Sequence, residues 1–445
     1  MKQIYEPQTV IQFYQSDSKE SKKFQIIDNF LEKNKQILGE IKDDFKSQKN
    51  VATGAKGITV EQVVRIAILK QITQFSYRKL YDALNDNICY RNFTKIYDGR
   101  VPKHNALALN VKKISQNSWE KINKVIIEFA KKEKIENGKK VRIDSTSVES
   151  NIHYPTDAEL LWDCIRVTNR IIETVKVEYP DMQFEFQNHT RRSKKRRFKI
   201  INTNKKEYRV KAYKDLLKIA KATSGYCLSC IEVLSKLSDI EASVYQKELE
   251  NYFEALNTII RQTEMRVIKG EKVSAQNKLV SIFEQHTDII AKGKRKVVFG
   301  HKILLSGGAS NLILDCMIER GNWSDSKIFP TAIDRLEENY GSISEIATDG
   351  GFASKKNYEY AKELKGIDKV LFTKKASSKI KELIKTSRAY KKLKKFRAGI
   401  EGCISAAKRA YGLDRCIWSG WEGFQRYVWA SVVAFNLSII VEKLL

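Results

Sequence analysis

The sequence lacks an apolar run long enough to cross a membrane. The longest run, residues 430–441, is interrupted by Asn436 and is shorter than the roughly 20 residues that a membrane-spanning helix needs. The N-terminal residues also contain no continuous apolar core of signal-peptide length. We therefore expect a cytoplasmic protein with no membrane partner.

Cysteine and histidine are scarce. The seven cysteines are odd in number and scattered, which favours a reducing compartment over a disulfide framework. Cys227 and Cys230 form a CxxC pair, but no second Cys or His pair lies nearby, so two buried thiols on a helix are expected in place of a zinc site. The five histidines are dispersed and therefore offer no cluster of metal ligands.

Negative charge is also in short supply. The chain has 53 Asp and Glu against 81 Lys and Arg, a formal net charge of +28. Such an excess is larger than solubility requires and indicates a polyanionic partner. Because the positive charge is spread along the chain and not concentrated on one amphipathic helix, nucleic acid is favoured over a membrane surface. With 445 residues, 42% of them hydrophobic, the chain can form two or three domains.

The N-terminal third is predicted to be all α-helical. Residues 1–55 are lysine-rich and predict a helical arm. In residues 56–135, Thr59 and Gln62 form a capping box ahead of a helical apolar pattern, and a second helix begins at Ser76. Two short helices joined by a turn and followed by a basic helix fit a helix-turn-helix style DNA-binding domain. A plain helical bundle fits the same residues about equally well.

A strand and a helical insertion follow. Residues 139–144 alternate apolar and polar side chains, which predicts a half-buried strand ending at Asp144, within a first core segment at 136–156. Residues 157–295 have mainly helical periodicity and predict an inserted domain. Its densest basic tract is a candidate phosphate-binding element, with a solvated loop as the alternative, and the overall charge favours DNA. The candidate contacts are Arg191, Arg192, Lys194, Lys195, Arg196 and Arg197.

The last third returns to strands. Strand patterns occupy residues 296–305, 312–318, 343–348 and 368–373, with helices between the later ones, and Asp349 follows the third of them. Together with the strand of Asp144, this order predicts an α/β fold: a mixed five-stranded, RNase H-like sheet flanked by helices. Residues 296–445 would complete the core, so the insertion lies between its first and second strands.

A helix near residues 396–411 carries the third candidate acid. On a helix, Arg397, Glu401 and Lys408 fall within roughly 40° of one another, beside an apolar stripe. An exposed Arg/Glu pair at this spacing is common, but Asp144 and Asp349 upstream favour metal chemistry. Three carboxylates at strand ends and on a facing helix can hold two divalent ions about 3.5 to 4 Å apart for displacement at phosphorus. Two Mg²⁺ ions per site are expected, with Mn²⁺ as a substitute.

Three segments resemble the acidic motifs of bacterial insertion-sequence transposases of the DDE type. They are IDST at 143–146, ATDGGFA at 347–353 and RAGIEGCISAAK at 397–408, the last with the family's pattern of Arg, three residues, Glu, six residues, Lys. Segments 411–415, 421–424 and 434–437 are similar to the family's C-terminal tail, and residues 69–93 resemble its N-terminal domain. The family often has a tyrosine three residues before the arginine, where this chain has Lys394.

The resemblance implies a role for each of these residues. Asp144, Asp349 and Glu401 would bind the metal ions, and Arg397 and Lys408 would contact phosphates of the transposon end. Water would cut one strand at each element end, and the freed 3′-hydroxyl would attack target DNA. The implied partners are double-stranded inverted-repeat ends, target DNA and a second copy of the chain on the paired ends, in a prokaryotic cytoplasm at the nucleoid.

Two other functions remain open on the sequence. One is a transposase-derived DNA-binding protein that no longer cuts. The other is an RNase H-like nuclease without strand transfer.

Overall fold

The computed structural model describes residues 18–45, 57–97, 100–292, 296–373 and 387–445. The chain divides into two compact units. Unit 1 comprises Met1–Ser150 and Gly300–Leu445, and unit 2 comprises Asn151–Phe299. Of the predicted N-terminal arm, residues 1–17 and 46–55 lie outside the described part of the chain. The bounds of the five predicted segments remain predictions, and the two units are described separately below.

The structure contains the following elements within its described residues. The α-helices are α1 (Lys19–Lys33), α2 (Gln36–Glu40), α3 (Val60–Thr73), α4 (Tyr77–Asp86), α5 (Ile88–Thr94), α6 (His104–Val111), α7 (Gln116–Lys132), α8 (Asp157–Glu178), α9 (Thr190–Asn202), α10 (Lys206–Leu234), α11 (Ile240–Thr263), α12 (Asp325–Tyr340), α13 (Lys355–Glu359), α14 (Ser387–Tyr411) and α15 (Trp421–Leu444). The strands are β1 (Lys140–Glu149), β2 (Asp288–Lys292), β3 (Lys296–Gly307), β4 (Ile313–Ile318), β5 (Glu345–Asp349) and β6 (Lys369–Thr373).

The six strands form one mixed sheet in the order β2-β3-β1-β5-β6, with β4 also paired to β3. Strand β1 is antiparallel to β3 and parallel to β5, and β6 is parallel to β5. The five predicted strands are present, but the predicted strand number was wrong. The extra strand, β2, lies within the segment predicted to be mainly helical, and at five residues it is too short to show a clear alternation. The result is a mixed α/β fold that is consistent with an RNase H-like arrangement.

Strand β1 extends further than its sequence pattern predicted. It does not end at Asp144 but continues to Glu149, because β3 pairs with it as far as the pair Glu149 and Gly300. On its other side, the parallel pairing with β5 stops at Ile143 and Thr348. Asp144 therefore lies one residue beyond the parallel half of the ladder while remaining inside the antiparallel half.

Two helices of unit 1, α3 and α15, are buried along most of their length. Helix α3 buries every side chain from Val60 to Gln71, and its predicted capping box is confirmed. Although its longest unbroken apolar run is short, helix α15 is the one helix among the described residues whose length and mean hydropathy would suffice to cross a membrane, and 78% of its most apolar window is buried within the protein. Gln71 joins the two helices by donating to the hydroxyl of Ser431.

The burial of α3 bears on the predicted helix-turn-helix pair. Since α3 presents no side chain between Val60 and Gln71 to solvent, it has nothing along that length with which to enter a DNA groove. Its partner α4 does carry exposed cations, Arg78 and Lys79. A nucleic-acid contact from this pair would therefore come from α4.

Unit 2 is built mainly from the four long helices α8 to α11, which share a core of aliphatic side chains. Cys227 and Cys230 are both buried on α10, which confirms two buried helical thiols. Burial raises the pKa of each thiol to about 12. Both therefore remain neutral and act as small apolar side chains of the core.

Candidate active site

The two aspartates lie side by side on neighbouring strands. Strands β1 and β5 run parallel and their last pair is Ile143 with Thr348, so Asp144 and Asp349 each follow that pair by one residue. Asp349 also ends β5, where its carboxylate accepts a hydrogen bond from the backbone N–H of Gly350. The same carboxyl edge of a parallel ladder thus presents both side chains, although 204 residues separate them in sequence.

Helix α14 places the third acid beside them, and Arg397 lies among all three. Its Nη2 is 3.0 Å from Oδ2 of Asp144 and 3.9 Å from Oδ2 of Asp349, and its Nη1 is 2.5 Å from Oε1 of Glu401. One guanidinium therefore contacts every acid that the sequence singled out. Asp144 and Arg397 are largely buried, whereas the Asp349 and Glu401 side chains are 45% and 62% exposed.

The electrostatics of this cluster favour a bound cation. The pKa of Asp144 is raised to about 6, mainly by burial and also by the nearby carboxylates of Asp349 and Glu401, against lowering contributions from Arg397 and the Ser145 N–H. The three negative charges are therefore costly to keep together. They have the donor type and the charge that Mg²⁺ prefers.

In this structure the three carboxylates are too far apart to ligate one metal ion together. Within the described ranges, no three His, Cys, Asp or Glu side chains lie close enough to ligate one metal. The reason is visible in the contacts, because the guanidinium of Arg397 lies between the carboxylates. The residues therefore fit divalent ions in chemistry, while the guanidinium of Arg397 contacts one oxygen of each acid.

Lys408, the second cation of the motif, does not contact the acids. Its Nζ donates to the backbone carbonyl of Ser147 at 2.7 Å and lies 3.5 Å from the carboxylate of Asp414. Ser147 belongs to β1, three residues beyond Asp144. Lys408 therefore fastens the C-terminal half of α14 to the strand that carries the first acid.

Arg142 is a site residue that the sequence did not reveal. It lies on β1 two residues before Asp144 and is only 3% exposed. Its guanidinium donates to the backbone carbonyl of Phe396 and to Asn311, and lies 4.8 Å from the centre of the Phe396 ring. Because alternate strand residues share a face, the proximity to Asp144 could have been read from the sequence, but the burial of a cation there could not.

Gly399 makes room for Arg142. A Cβ at Gly399 would lie 1.9 Å from Nη1 of Arg142, whereas a Cβ at Gly402, one turn further along α14, would meet no atom within 4 Å. The close approach of α14 to β1 thus depends on a glycine at one of these positions only. Gly399 lies two residues from both Arg397 and Glu401 on α14, so this contact is close to both side chains.

The basic tract lies in unit 2, on α9, and its members have different surroundings. Arg196 pairs with Asp215 at 2.7 Å, and Arg197 pairs with Glu159 while lying over the ring of Trp162. Arg192 is 3.8 Å from Asp215 and mostly exposed. The remaining predicted contacts are exposed and form no ion pair with any described residue: Arg191, Lys194 and Lys195.

The mixed sheet and the carboxylates gathered at its β1–β5 edge define an α/β protein with an acidic centre. A family model described as Transposase DDE domain matches residues 283–437, and another described as Transposase domain (DUF772) matches residues 14–113. The chain belongs to the DDE transposases of insertion sequences. Asp349 and Glu401 fall inside the first match, whereas Asp144 lies outside both. No curated protein and no solved structure matches the chain.

Proposed function

We propose that the chain is an active transposase that binds the terminal inverted repeats of its element, cleaves DNA with divalent metal ions and transfers the freed strand to target DNA. The convergence of Asp144, Asp349 and Glu401 on one guanidinium carries the proposal. An acidic cluster is expensive to maintain unless it serves a cation. A DNA-binding derivative that no longer cuts would have no use for it.

The proposed catalytic core is RNase H-like and consists of residues 136–156 and 296–445, interrupted by the helical insertion at 157–295. Its three carboxylates would hold two Mg²⁺ ions, or Mn²⁺ in their place, and such ions would supply the Lewis acidity needed for displacement at phosphorus. The protein supplies the positions. Asp144 is fixed within a paired strand, Asp349 by the Gly350 N–H, and Glu401 by a helix held at Gly399 and Lys408.

We assign the sequence-independent DNA contacts to exposed cations that form no ion pair with any residue the structure describes. On α9 these are Arg191, Lys194 and Lys195, which are exposed, whereas Arg196 and Arg197 are held by acids of unit 2. Phosphate neutralisation by such residues gives affinity and register but not sequence specificity. Near the acids, Arg397 and Lys408 are the candidates for contacts to the element end. The proposed assembly is a homodimer on paired ends, at the nucleoid in the cytoplasm.

Incubation of the purified protein with labelled DNA carrying the element's inverted repeats tests the proposal. With Mg²⁺ we expect a nick at each end and a joined product when target DNA is present. Asp144→Asn, Asp349→Asn and Glu401→Gln should each abolish both products, because each replaces a carboxylate ligand with a neutral amide. Each should retain binding to the ends, because the amide has nearly the same shape and no cation is lost.

Three outcomes separate the candidate functions. Cutting and joining supports a transposase, cutting alone supports a nuclease without strand transfer, and binding alone supports an inactive derivative. Asp414→Asn is a suitable control, because Asp414 is an exposed carboxylate that contacts Lys408 and none of the acids. Nicking at the wild-type rate by any of the three ligand variants would refute the assigned centre.

A further inference from the structure

Arg397 makes contacts that differ from those expected of a residue that only binds DNA. Its two terminal nitrogens contact Asp144, Asp349 and Glu401, and its side chain is 14% exposed. Its Nε is buried and has no hydrogen-bond partner among the described residues. The guanidinium is therefore held by the acids, while one of its donors remains unsatisfied at a cost.

A guanidinium and a divalent ion compete for the same carboxylate oxygens, Oδ2 of Asp144, Oδ2 of Asp349 and Oε1 of Glu401. Two of the acids, Asp144 and Asp349, share the single nitrogen Nη2, at 3.0 Å and 3.9 Å, so one end of the guanidinium contacts both. A metal ion bound by those same oxygens would lie within a few ångströms of Arg397. Like charges at such a distance repel each other strongly in a partly buried site.

We infer that Arg397 is an exchangeable counter-ion: it holds Asp144, Asp349 and Glu401 together before divalent ions bind, and it leaves them when the ions bind. The inference rests on the proposed function, since it assumes that these acids are the metal ligands. In the metal-free protein Arg397 lowers the repulsion within the acidic cluster. After leaving, its guanidinium is free to pair with a DNA phosphate, the anion that its planar donor geometry suits best.

Linkage gives the inference a second consequence. If a DNA phosphate takes Arg397 away from the carboxylates, the carboxylates bind metal more tightly, and bound metal must strengthen DNA binding by the same factor. The two ligands of the transposase would then load together. Arg397 thereby couples DNA recognition to assembly of the reactive centre.

Lys408 provides a matched comparison on the same helix edge. It is a cation of the same motif, but its partners are the Ser147 carbonyl and Asp414, and it has no recorded contact with the three acids. Neutralising Lys408 removes the same charge from the same helix. It does not remove the guanidinium from the position between the carboxylates.

The test measures Mn²⁺ binding to the full-length protein without DNA. Binding is monitored through the electron paramagnetic resonance signal of free Mn²⁺. Arg397→Gln should bind Mn²⁺ about tenfold more tightly than wild type, a change of about 1.4 kcal/mol. It should also melt at a lower temperature than wild type without metal and gain more from added Mn²⁺. Lys408→Gln leaves the guanidinium in contact with the acids, so it should not bind Mn²⁺ more tightly than wild type.

Further variants make each failure informative. Arg397→Lys keeps the charge but cannot bridge three carboxylates, so its Mn²⁺ affinity should lie between wild type and Arg397→Gln, and it decides the question if the glutamine variant does not fold. Equal or weaker Mn²⁺ binding in both variants would overturn the counter-ion role. If Asp349→Asn and Glu401→Gln leave Mn²⁺ binding unchanged, the proposed metal centre itself fails.

Discussion

Helices α14 and α9 are both rich in cations, but they use them differently. On α14, the two cations of the acidic motif are committed within unit 1: Arg397 to three carboxylates and Lys408 to the Ser147 carbonyl. On α9, Arg196 and Arg197 are committed to acids of unit 2, while Lys194 and Lys195 face solvent. A run of cations such as that on α9 therefore indicates a polyanionic partner. Cations at fixed spacing from an acid, as on α14, indicate a site formed within the protein.

The difference has a physical basis. A cation that is buried must be paired, because an unpaired buried charge costs several kcal/mol. An exposed lysine is stabilised by water and remains available to a phosphate. The surroundings of each cation, more than its place in a basic run, therefore decide whether it serves the fold or a ligand.

Among the variants that test this comparison, Gly399→Ala is expected to have the largest effect, because it disturbs the contact between α14 and Arg142 of β1. The new methyl group would overlap the guanidinium of Arg142, which cannot easily withdraw because it is buried and hydrogen-bonded to Phe396 and Asn311. Overpacking of this kind costs about 1 to 3 kcal/mol, and it shifts Glu401 away from the aspartates. We expect strand cleavage to fall at least about a hundredfold and the melting temperature to fall, as measured by gel assay and calorimetry.

Gly402→Ala is the control for that experiment. It makes the same chemical change on the same helix where the added methyl group meets nothing within 4 Å. Because alanine is a better helix former than glycine by about 1 kcal/mol, this variant should melt slightly higher than wild type and cleave normally. Equal losses in both variants would show that the contact between Arg142 and Gly399 does not position the site.

Local sequence signals predicted a large part of the fold. The capping box at Thr59 and Gln62 is present as predicted, since a cap depends on residues three apart. The all-round burial of α3 was not visible, because a helix buried on every side needs partners from distant parts of the chain, here α15. The strand β2 was missed for the same reason: its pairing with β3, not its own five residues, makes it a strand.

The candidate site could be predicted in outline only. The positions of Asp144 and Asp349 after strand patterns, and the spacing on the helix of Glu401, were enough to expect the three acids near one another, and the structure gathers them around Arg397. Their metal role stays a prediction. The partner of Arg397 could not be predicted. The sequence does not determine whether the side chain of a cation beside an acid points to the carboxylates or to bound DNA.

A second experiment sharpens the comparison on α9 itself. We expect the double variant Lys194→Gln/Lys195→Gln to bind a random-sequence duplex more weakly and to reduce the slope of log affinity against log salt by about two units, since each lost phosphate contact contributes about 0.9. Fluorescence anisotropy across a salt series measures both quantities.

The paired arginines of the same helix serve as the control. Arg196→Gln/Arg197→Gln removes the same number of charges but breaks the contacts with Asp215 and Glu159. It should lower the melting temperature and leave the salt slope close to that of wild type. If both double variants reduce the slope equally, the division of α9 into structural and DNA-binding cations is wrong.

The smallest effect is expected where buried cations serve only the stability of the fold, and it is a change in melting temperature. Glu32 on α1 accepts hydrogen bonds from Arg65, Lys95 and Lys35, and the Arg65 side chain is completely buried. Burial alone would raise the pKa of Glu32, but the bonds from Lys35 and Lys95 outweigh it and lower the pKa to about 2. Glu32 therefore stabilises the folded state above its ordinary pKa of 4.5, and this contribution is lost as the pH falls toward 2.

Glu32→Gln should accordingly melt a few degrees below wild type at neutral pH, and the difference should shrink as the pH falls from about 5 to about 3. Glu40→Gln, which neutralises an exposed acid on the neighbouring helix α2, should melt as wild type does throughout. Calorimetry over this pH range measures both. If the difference in melting temperature between Glu32→Gln and wild type stays constant with pH, then packing and not charge holds Arg65 and Lys95. The pairing of buried cations with acids seen on α14 would then not apply to this part of unit 1.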